Sequence, residues 1–443
     1  MSDNFKKYVN YELYGEGKII LEDSEENTAY FQIYQLNQGN SVGVLSFTKT
    51  DSKLEDILKF EKIFRFDGKT VNGLKISAKG CAVYSYTFDI IDNSPKNARF
   101  LINVLKVSNI NNLDNLEKQD ITLCFEIGVL NYYSKPNFLV NTEIGDIQII
   151  NRLTDDDIDL FKNLHIPDNT SLLRLQVKSE KSFEAMKKKI FKVVNKILEL
   201  LSFALITQIR WSYYSVFLNE FSASQFIYCE STTRFPSIPN PHYVIEEHRL
   251  EEFLNKSYNN YTDQVNTKYN FSLALKWYLD SNSLKYDVMK FVSASTSLES
   301  ILHSFSKDKE SDTFLPDEKF KILRKKIEPV IINEIENQMP SEDVNSMLNK
   351  ISDINRRSYK KKTEALLNSL GIHEDVARGA LKEIIPIRDK IIHSGEFVNS
   401  DDKRKAAKVY SALGSILTQV FLRILVPDDD TFYRQIGPLK FID

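Results

Sequence analysis

Short runs in which apolar and polar residues alternate fill the first part of the chain, up to about residue 150. Examples are KIILE, AYFQIYQL, SVGVLSFT, CAVYSYTFDII, ITLCFEIGVL and GDIQII. Such runs, rich in β-branched and aromatic residues, are typical of strands. Gly, Asn and Asp separate them in NQGN and DGKTVNG, which is the chemistry of turns between strands. The pattern predicts a mostly antiparallel β domain, to which the later stretch QIRWSYYSVFLNEFSASQFIYCES returns as a strand pair.

The apolar period changes near residue 182. From there to about residue 205, apolar side chains recur three or four positions apart and lysines occupy the opposite positions, which predicts an amphipathic helix. The apolar positions of this stretch are Phe183, Ile190, Val194, Ile197, Leu200 and Leu201. We interpret its lysines as a solvated face. Together with the strands, this helix completes a predicted N-terminal domain of residues 1–235.

A proline-rich stretch, RFPSIPNPHYV, interrupts the pattern and predicts a connection over residues 236–267. After it, apolar positions recur with helical spacing, and Gly371 and Gly395 stand where helix C-terminal caps belong. The helical stretches are FSLALKWYLDS, LKYDVMKFVSASTSLESILHSF, PDEKFKILRKKIEPVIINEIE, VNSMLNKISDINRRSYKKKTEALLNSLG, EDVARGALKEIIPIRDKIIHSG and DDKRKAAKVYSALGSILTQVFLRIL. We expect an all-α domain over residues 268–430 and a C-terminal tail over residues 431–443. The predicted fold class is therefore α+β.

Composition narrows the classes of function. The 443 residues are 42% hydrophobic, enough for two cores, and the net charge of -3 argues against a uniformly basic surface, so any contact with nucleic acid must be local. Cys81, Cys124 and Cys229 lack the spacing of a zinc site or a disulfide framework. Phosphate-binding glycine loops are absent as well, so we predict no metal and no cofactor. The first residues lack the apolar region of a signal peptide and no apolar run reaches about 20 residues, which predicts a soluble, cytoplasmic protein without a membrane partner.

A cluster of charged residues interrupts the apolar stripe of the fifth helical stretch, in IPIRDKIIHSG, residues 385–395. Asp389 and His393 are four residues apart on a helix, so the carboxylate can orient the imidazole. Arg388 lies about 140° round the helix from His393, but its long side chain can swing toward a ligand beside the histidine. The negative end of the helix dipole and Asp389 both favour the protonated imidazole. Phosphate binding by Arg388 and proton transfer by His393 would make an acid/base site that needs no metal.

The same spacing also fits a structural alternative, a helix-terminal histidine with a local salt bridge. Pro386 lies two residues before Arg388, where it must kink the helix or begin a new segment. Glu299, on the second helical stretch, is either a solvated or capping side chain or one that faces the motif and buffers its charge. The sequence leaves these alternatives open.

Two basic runs, KFKILRKK and NRRSYKKK, each carry five basic residues, enough for a local track of phosphate contacts. In the second run a tyrosine is available to stack on a base. The alternative is a solvated face or loop. The candidate RNA-binding residues are Arg356, Arg357, Tyr359, Lys360, Lys361 and Lys362.

The stretch IRDKIIHSG, at the end of a helix near the end of a helical domain, resembles the R-x4-6-H signature of HEPN domains, in which a polar residue commonly follows the arginine. Arg388, Asp389 and His393 match these three positions. The earlier KWYLDSNSLKYDVMKFVSASTSLESIL resembles the first helices of the ApeA-like branch, where a WY helix precedes an apolar helix with glutamate at the position of Glu299. The resemblance covers about residues 268–428, and the β-rich part is similar in layout to domains that precede such modules.

The resemblance implies a metal-independent endoribonuclease, an antiviral defence (abortive infection) or toxin effector that cleaves RNA. It implies a homodimer through the C-terminal helical domain, in which two Arg-His motifs form one composite site. In that site Arg388 would neutralise the phosphate and His393 would shuttle the proton, while the N-terminal domain would bind a trigger molecule. Two other interpretations are a non-catalytic HEPN dimer that serves as a ligand- or protein-binding scaffold, and a toxin subunit that a partner nucleotidyltransferase modifies.

Overall fold

The computed structural model divides the chain into two compact units, Met1–Asn255 and Lys256–Asp443. The first is built mainly of antiparallel strands and the second of helices, so the predicted α+β class is confirmed. The residues that the structure describes are 9–20, 27–36, 41–47, 63–88, 95–109, 119–127, 130, 137–150, 171–178, 183–218, 226–232, 243–284, 287–308, 313–335, 338, 340–372, 374–394 and 403–434.

The first six strands of the N-terminal unit close into an antiparallel barrel. Their order is β4-β1-β2-β3-β6-β5, and β4 also pairs with β5, which completes the ring. Phenylalanines from several strands meet inside it, where the rings of Phe31 and Phe66 lie 5.2 Å apart. The strands are β1 Val9–Ile20, β2 Asn27–Leu36, β3 Ser41–Ser46, β4 Ile63–Thr70, β5 Lys75–Phe88 and β6 Pro95–Ile102.

Gly80 lies at an irregularity of β5, where the pairing with β4 shifts by one residue between Phe64 and Phe66. Its φ is +62°, a conformation that side chains other than glycine rarely adopt. A Cβ atom there would approach the amide nitrogen of Asn103 to 2.7 Å. The extra residue increases the local twist, which helps the sheet to close.

The remaining strands extend from the barrel as a second antiparallel sheet, in the order β7-β13-β12-β8-β11-β10-β9, and β7 joins it to β5. They are β7 Val104–Ser108, β8 Asp120–Glu126, β9 Asn137–Thr142, β10 Gly145–Ile150, β11 Leu172–Lys178, β12 Tyr213–Leu218 and β13 Phe226–Thr232. The predicted helix is α1, Phe183–Ala204. Its Phe191 packs edge-on against the rings of Phe125, Trp211 and Tyr214. The predicted helix and the predicted returning strand pair, β12 with β13, are both confirmed.

Among the described strands, β9 alone has a single strand partner, and its other edge meets an asparagine side chain. The backbone N–H of Asn141 donates to Oδ1 of Asn255 at 2.9 Å, and Nδ2 of Asn255 donates to the carbonyl of Leu139 at 2.9 Å. One amide side chain therefore supplies the acceptor and the donor that a neighbouring strand would offer to these two residues.

Ten α-helices follow in the described part of the chain. They are α2 Leu250–Asn260, α3 Asp263–Tyr269, α4 Phe271–Ser283, α5 Asp287–Asp308, α6 Asp317–Ile335, α7 Ser341–Ile354, α8 Tyr359–Ser369, α9 Glu374–Ser394, α10 Lys403–Leu425 and α11 Asp430–Arg434. In the bundle α5 packs against α3, α4, α8 and α10, while α9 packs against α8 and α10. Among the described residues, no helix is long and apolar enough to cross a membrane.

The predicted connection over residues 236–267 differs from the structure. Residues 236–242 lie outside the described residues, but α2 and α3 occupy most of the remainder, and the boundary between the two units falls after Asn255. Leu250, Phe253, Leu254 and Tyr258 are buried at helical spacing. This apolar spacing by itself predicts a helix, whereas the proline-rich stretch before it predicted a connection.

Two helical predictions are also corrected in detail. The stretch over residues 344–371 is two helices, α7 and α8, because Asn355 leaves the helical ladder and Ser358 caps α8 by accepting a hydrogen bond from the N–H of Lys361. Gly371, with φ +65°, follows the end of α8 as predicted. Pro386 begins no new segment, since α9 runs through it. Gly395 and residues 435–443 of the predicted tail lie outside the described residues, whereas residues 430–434 form α11.

Candidate functional site

Arg388 projects from the apolar side of α9 into the helical bundle. Leu381, Ile384 and Ile387 of this helix are buried, and Arg388 follows Ile384 by four residues, so the two side chains share a face. Only 18% of the Arg388 side chain is exposed. A guanidinium in such a position requires compensating charges and hydrogen bonds from its neighbours.

Two carboxylates supply this compensation. Nε and Nη2 of Arg388 each lie 2.6 Å from Oε1 of Glu299 on α5, and Nη1 donates to Oδ1 of Asp389 at 2.8 Å. All three guanidinium nitrogens are thus engaged. Because a guanidinium has five N–H groups, two of them keep no partner among the described residues. Glu299 therefore faces the arginine, which was one of the two alternatives for this residue.

The ring of Tyr359 covers one face of the guanidinium. The central carbon of the Arg388 guanidinium lies 4.4 Å from the ring centroid, a distance typical of a cation–π contact. Tyr359 is the first residue of α8, and Ser358 caps that helix. The Tyr359 hydroxyl is buried and makes no hydrogen bond within the described part of the chain. The arginine is therefore held from α5, from α8 and from its own helix.

The surroundings set the protonation states of Arg388 and Tyr359. Burial disfavours the charged form of Arg388, but the hydrogen bonds and charges of Glu299 and Asp389 outweigh it, so the pKa of Arg388 lies above its ordinary value. Burial also raises the pKa of the Tyr359 phenol, and the nearby carboxylates raise it further against the opposing effect of Arg388. The arginine stays charged and the phenol stays neutral over the physiological pH range.

The charges of the cluster sum to about -1 when Arg388, Glu299 and Asp389 are all ionised. The carboxylates are accessible to water, with 38% of the Glu299 side chain and 48% of the Asp389 side chain exposed. An incoming phosphate would meet a guanidinium that is already paired. It would bind either through the two remaining N–H groups or by displacing a carboxylate into water.

His393 belongs to the last turn of α9, but its side chain lies outside the described residues. The predicted hydrogen bond from His393 to Asp389 therefore stays a prediction. The structure does contain the local salt bridge of the structural alternative, between Arg388 and Asp389. The helix period still places the two motif residues of one chain on different faces of α9.

The predicted RNA-binding residues lie in the link between α7 and α8 and in the first turn of α8. Arg356 is exposed, Nε of Arg357 donates to the carbonyl of Thr313 at 3.1 Å, and Lys362 is half-buried. Lys360 and Lys361 lie 4.0 and 3.1 Å from the carboxylate of Glu364. The base-stacking role predicted for Tyr359 stays a prediction, while Arg388 covers one face of its ring and its hydroxyl is buried.

A buried asparagine fixes this link beside the arginine cluster. Oδ1 of Asn355 accepts from the N–H of Leu315 at 2.8 Å, and its Nδ2 donates to the carbonyl of Leu315 at 2.9 Å. The carbonyl of Asn355 also accepts from the N–H of Phe314 at 2.7 Å. These bonds join the segment before α6 to the segment before Tyr359. Sequence reasoning missed both Asn355 and the packing of Tyr359 under Arg388, because neither leaves a periodic signal.

Comparisons with known proteins leave the family open. The chain matches no family model, no curated protein and no solved structure. In the part of the chain that is described, no three His, Cys, Asp or Glu side chains come together as a metal-binding cluster, and Cys81 and Cys124 are buried.

Tyr359→Phe tests whether Tyr359 stabilises the protein through its ring and not through its hydroxyl. We expect this variant to match or exceed the wild type in stability, by up to about 1 kcal/mol, because it removes a buried hydroxyl without a partner and keeps the ring under Arg388. Above pH 10 the unfolded phenol ionises while the folded one resists, so the wild type loses stability that the variant keeps. Urea unfolding at pH 7 and pH 10.5 measures both effects. Tyr359→Leu, which removes the aromatic face, should be less stable than either, and equal stability of all three would contradict the cation–π contact.

Proposed function

We propose that this chain is a metal-independent endoribonuclease of HEPN type, an antiviral defence (abortive infection) or toxin effector that acts on RNA as a homodimer in the cytoplasm. The observation that carries the proposal is the fixed arginine. Glu299, Asp389 and Tyr359 hold the side chain of Arg388, and Arg388 lies on the same helix as His393. A charged, oriented guanidinium on a helix that also bears a histidine is suited to a phosphodiester.

In the proposed reaction the ribose 2′-OH attacks the adjacent phosphorus. The 2′ oxygen loses its proton to a base, the bond from phosphorus to the 2′ oxygen forms, and the bond to the 5′ oxygen breaks. That leaving oxygen takes a proton, so the products are a 2′,3′-cyclic phosphate and a 5′-hydroxyl. His393 carries the proton transfers and Arg388 neutralises the charge that grows on the phosphate oxygens. One histidine serves one role at a time, so two chains would provide the base and the acid together.

A second candidate is a non-catalytic dimer that binds a ligand or a protein. One observation favours it: Arg388 already contacts two carboxylates, and the cluster carries net negative charge, which opposes an RNA phosphate. In this function Arg388 joins α9 to α5 and α8. The two candidates differ in whether the arginine contacts phosphate at all.

Purified wild-type protein incubated with end-labelled total RNA in EDTA separates the candidates. We expect cleavage without added metal and products that end in a 2′,3′-cyclic phosphate, because the arginine and histidine supply the charge and the proton transfer. A model RNA with a single 2′-deoxy substitution at the cleavage position should resist. A protein carrying both Arg388→Ala and His393→Ala, prepared in parallel, controls for contaminating nucleases. RNA that stays intact at micromolar protein would reject the nuclease and favour the binding protein.

A further inference from the structure

Arg174 lies in β11, on the face of the second sheet that points away from α1. Side chains of a strand alternate between its two faces, and the neighbours Leu173 and Leu175 are fully buried. Leu173 pairs with Phe125, whose ring packs against Phe191 of α1, so these leucines face the helix. Arg174 therefore points to the opposite face, where the residue is half-buried.

The guanidinium of Arg174 has no partner in the described part of the chain. It makes no hydrogen bond and no ion pair there, and its Nε is shielded from water. An N–H group of a charged side chain that loses water without gaining an acceptor lowers the free energy of unfolding. Arg388, which is also half-buried, has a carboxylate at each of its three guanidinium nitrogens. Arg174 lacks such an acceptor, and an anion from solution would supply it.

Gln148 lies beside Arg174 and also has a side chain without a partner. The two residues pair directly between β10 and β11, so their side chains share a face and their Cβ atoms lie about 5 Å apart. Gln148 is half-buried, and its amide makes no side-chain hydrogen bond to the residues that the structure describes. A guanidinium offers five N–H groups and a carboxamide two. The pair thus presents adjacent donors on neighbouring strands, with no acceptor bonded to them among those residues.

Two acidic residues share this face but leave the arginine unbound. Asp146 lies two residues from Gln148 on β10, and Glu126 lies two residues from Cys124, the direct neighbour of Arg174 on β8. Within the described structure neither carboxylate forms an ion pair with Arg174. Asp146 is exposed to water, while Glu126 is buried and accepts a hydrogen bond from a tyrosine hydroxyl at 3.3 Å. The arginine thus stays available to a small anion, and the two carboxylates weaken the attraction of this face for a polyanion such as RNA.

We propose that Arg174 and Gln148 bind the phosphate group of a small-molecule ligand on the N-terminal unit. The planar fork of a guanidinium matches two phosphate oxygens, and the amide of Gln148 can donate to a third. A carboxylate has only two oxygens, and the fork uses both of them. The phosphate gives the buried Nε its acceptor and balances the charge of the arginine. The site lies in the N-terminal unit, so the proposal stands apart from the nuclease proposed for the helical unit.

Titration of the full-length chain with inorganic phosphate tests the site, with ¹⁵N-labelled arginine side chains as the NMR probe. The Nε–H signal of Arg174 should shift and saturate with a dissociation constant below about 10 mM, and acetate at equal ionic strength should bind at least about 5-fold more weakly. Gln148→Leu should weaken phosphate binding by about 10-fold, because it removes a hydrogen bond to a charged group. Arg99→Met is the matched control, since it removes an exposed arginine of β6 and should leave phosphate binding unchanged.

Arg174→Met assigns the NMR signal and removes the site. In phosphate-free buffer this variant should unfold at the same temperature as the wild type or at a higher one, because it lacks the buried donor without a partner. Added phosphate should raise the unfolding temperature of the wild type more than that of the variant, whose smaller rise measures the general effect of the salt.

Three results overturn the proposal: a wild-type signal that does not saturate, an equal stabilisation of Arg174→Met by phosphate, and a lower stability of Arg174→Met in phosphate-free buffer. The last would show that the guanidinium already has a partner in the folded chain. Equal binding of acetate would overturn the choice of phosphate. None of these measurements uses RNA, so their outcome is separate from that of the cleavage assay.

Discussion

Arg388→Lys is expected to lower RNA cleavage by at least about 100-fold while the protein stays folded. Lysine keeps the positive charge, but one ammonium cannot reach Glu299 and Asp389 in the geometry that three guanidinium nitrogens achieve, and it lacks a planar face for Tyr359. A charge that moves freely neutralises a phosphate less well than one that is already oriented. Single-turnover cleavage of a labelled RNA measures the loss.

Arg388→Ala should add a loss of stability, of roughly 1–2 kcal/mol, because Glu299 and Asp389 then stand close together without the cation that joins them. The partial exposure of both carboxylates keeps this loss below that of a fully buried pair. Arg324→Lys is the matched control, since Arg324 pairs with Glu328 along α6 alone. It should change neither cleavage nor stability appreciably. Wild-type cleavage by Arg388→Lys would show that the guanidinium serves only to join helices.

His393→Ala is expected to lower cleavage by about 1,000-fold or more, since both proton transfers of the proposed reaction pass through this side chain. Asp389→Asn should give a smaller loss, of about 10-fold. In the proposed site the Asp389 carboxylate would support the imidazolium. It also accepts a hydrogen bond from Nη1 of Arg388, and the amide would retain only this acceptor. Removing this negative charge should shift the titration of His393 to lower pH. Single-turnover cleavage and an NMR titration of the histidine ring measure the two effects.

His303→Ala, at an exposed histidine of α5, is the control for His393→Ala and should cleave normally. The fold of each variant is checked by its unfolding midpoint. If Asp389→Asn lowers stability but leaves the histidine titration unchanged, Asp389 acts only as a salt-bridge partner of Arg388. That result would support the structural alternative for the motif.

The regular elements were predictable because burial repeats along them with a fixed period. The alternating strands, α1 and the main bundle helices follow from such repeats. The errors occurred where one residue acts through a distant partner. Asn355 ends a predicted helix by hydrogen bonding to Leu315, forty residues away in sequence. Helix α2 was predicted as a connection because a proline-rich stretch precedes it.

The candidate site was predictable only along one helix. The positions of Arg388, Asp389 and His393 can be read from the sequence, and the contact between the first two follows from their adjacency. The contact with Glu299, 89 residues earlier, depends on how α5 packs near α9, and the sequence left it as one of two alternatives. The sequence predicted that the ring of Tyr359, in a basic run, is available to stack on a base. Its contact with Arg388 was missed because no local pattern reveals which ring faces a guanidinium.

Asn255 also bears on how the N-terminal unit avoids self-association. A closed ring has no exposed strand, so β9 is the place, among the described strands, where a foreign strand could add to the sheet. The Asn255 side chain occupies the hydrogen-bonding groups of Leu139 and Asn141 and thereby blocks the start of such an addition. Glu251 of α2 also accepts a hydrogen bond from the N–H of Leu139 at 3.4 Å, so two side chains of one helix cover this edge in the described part of the unit.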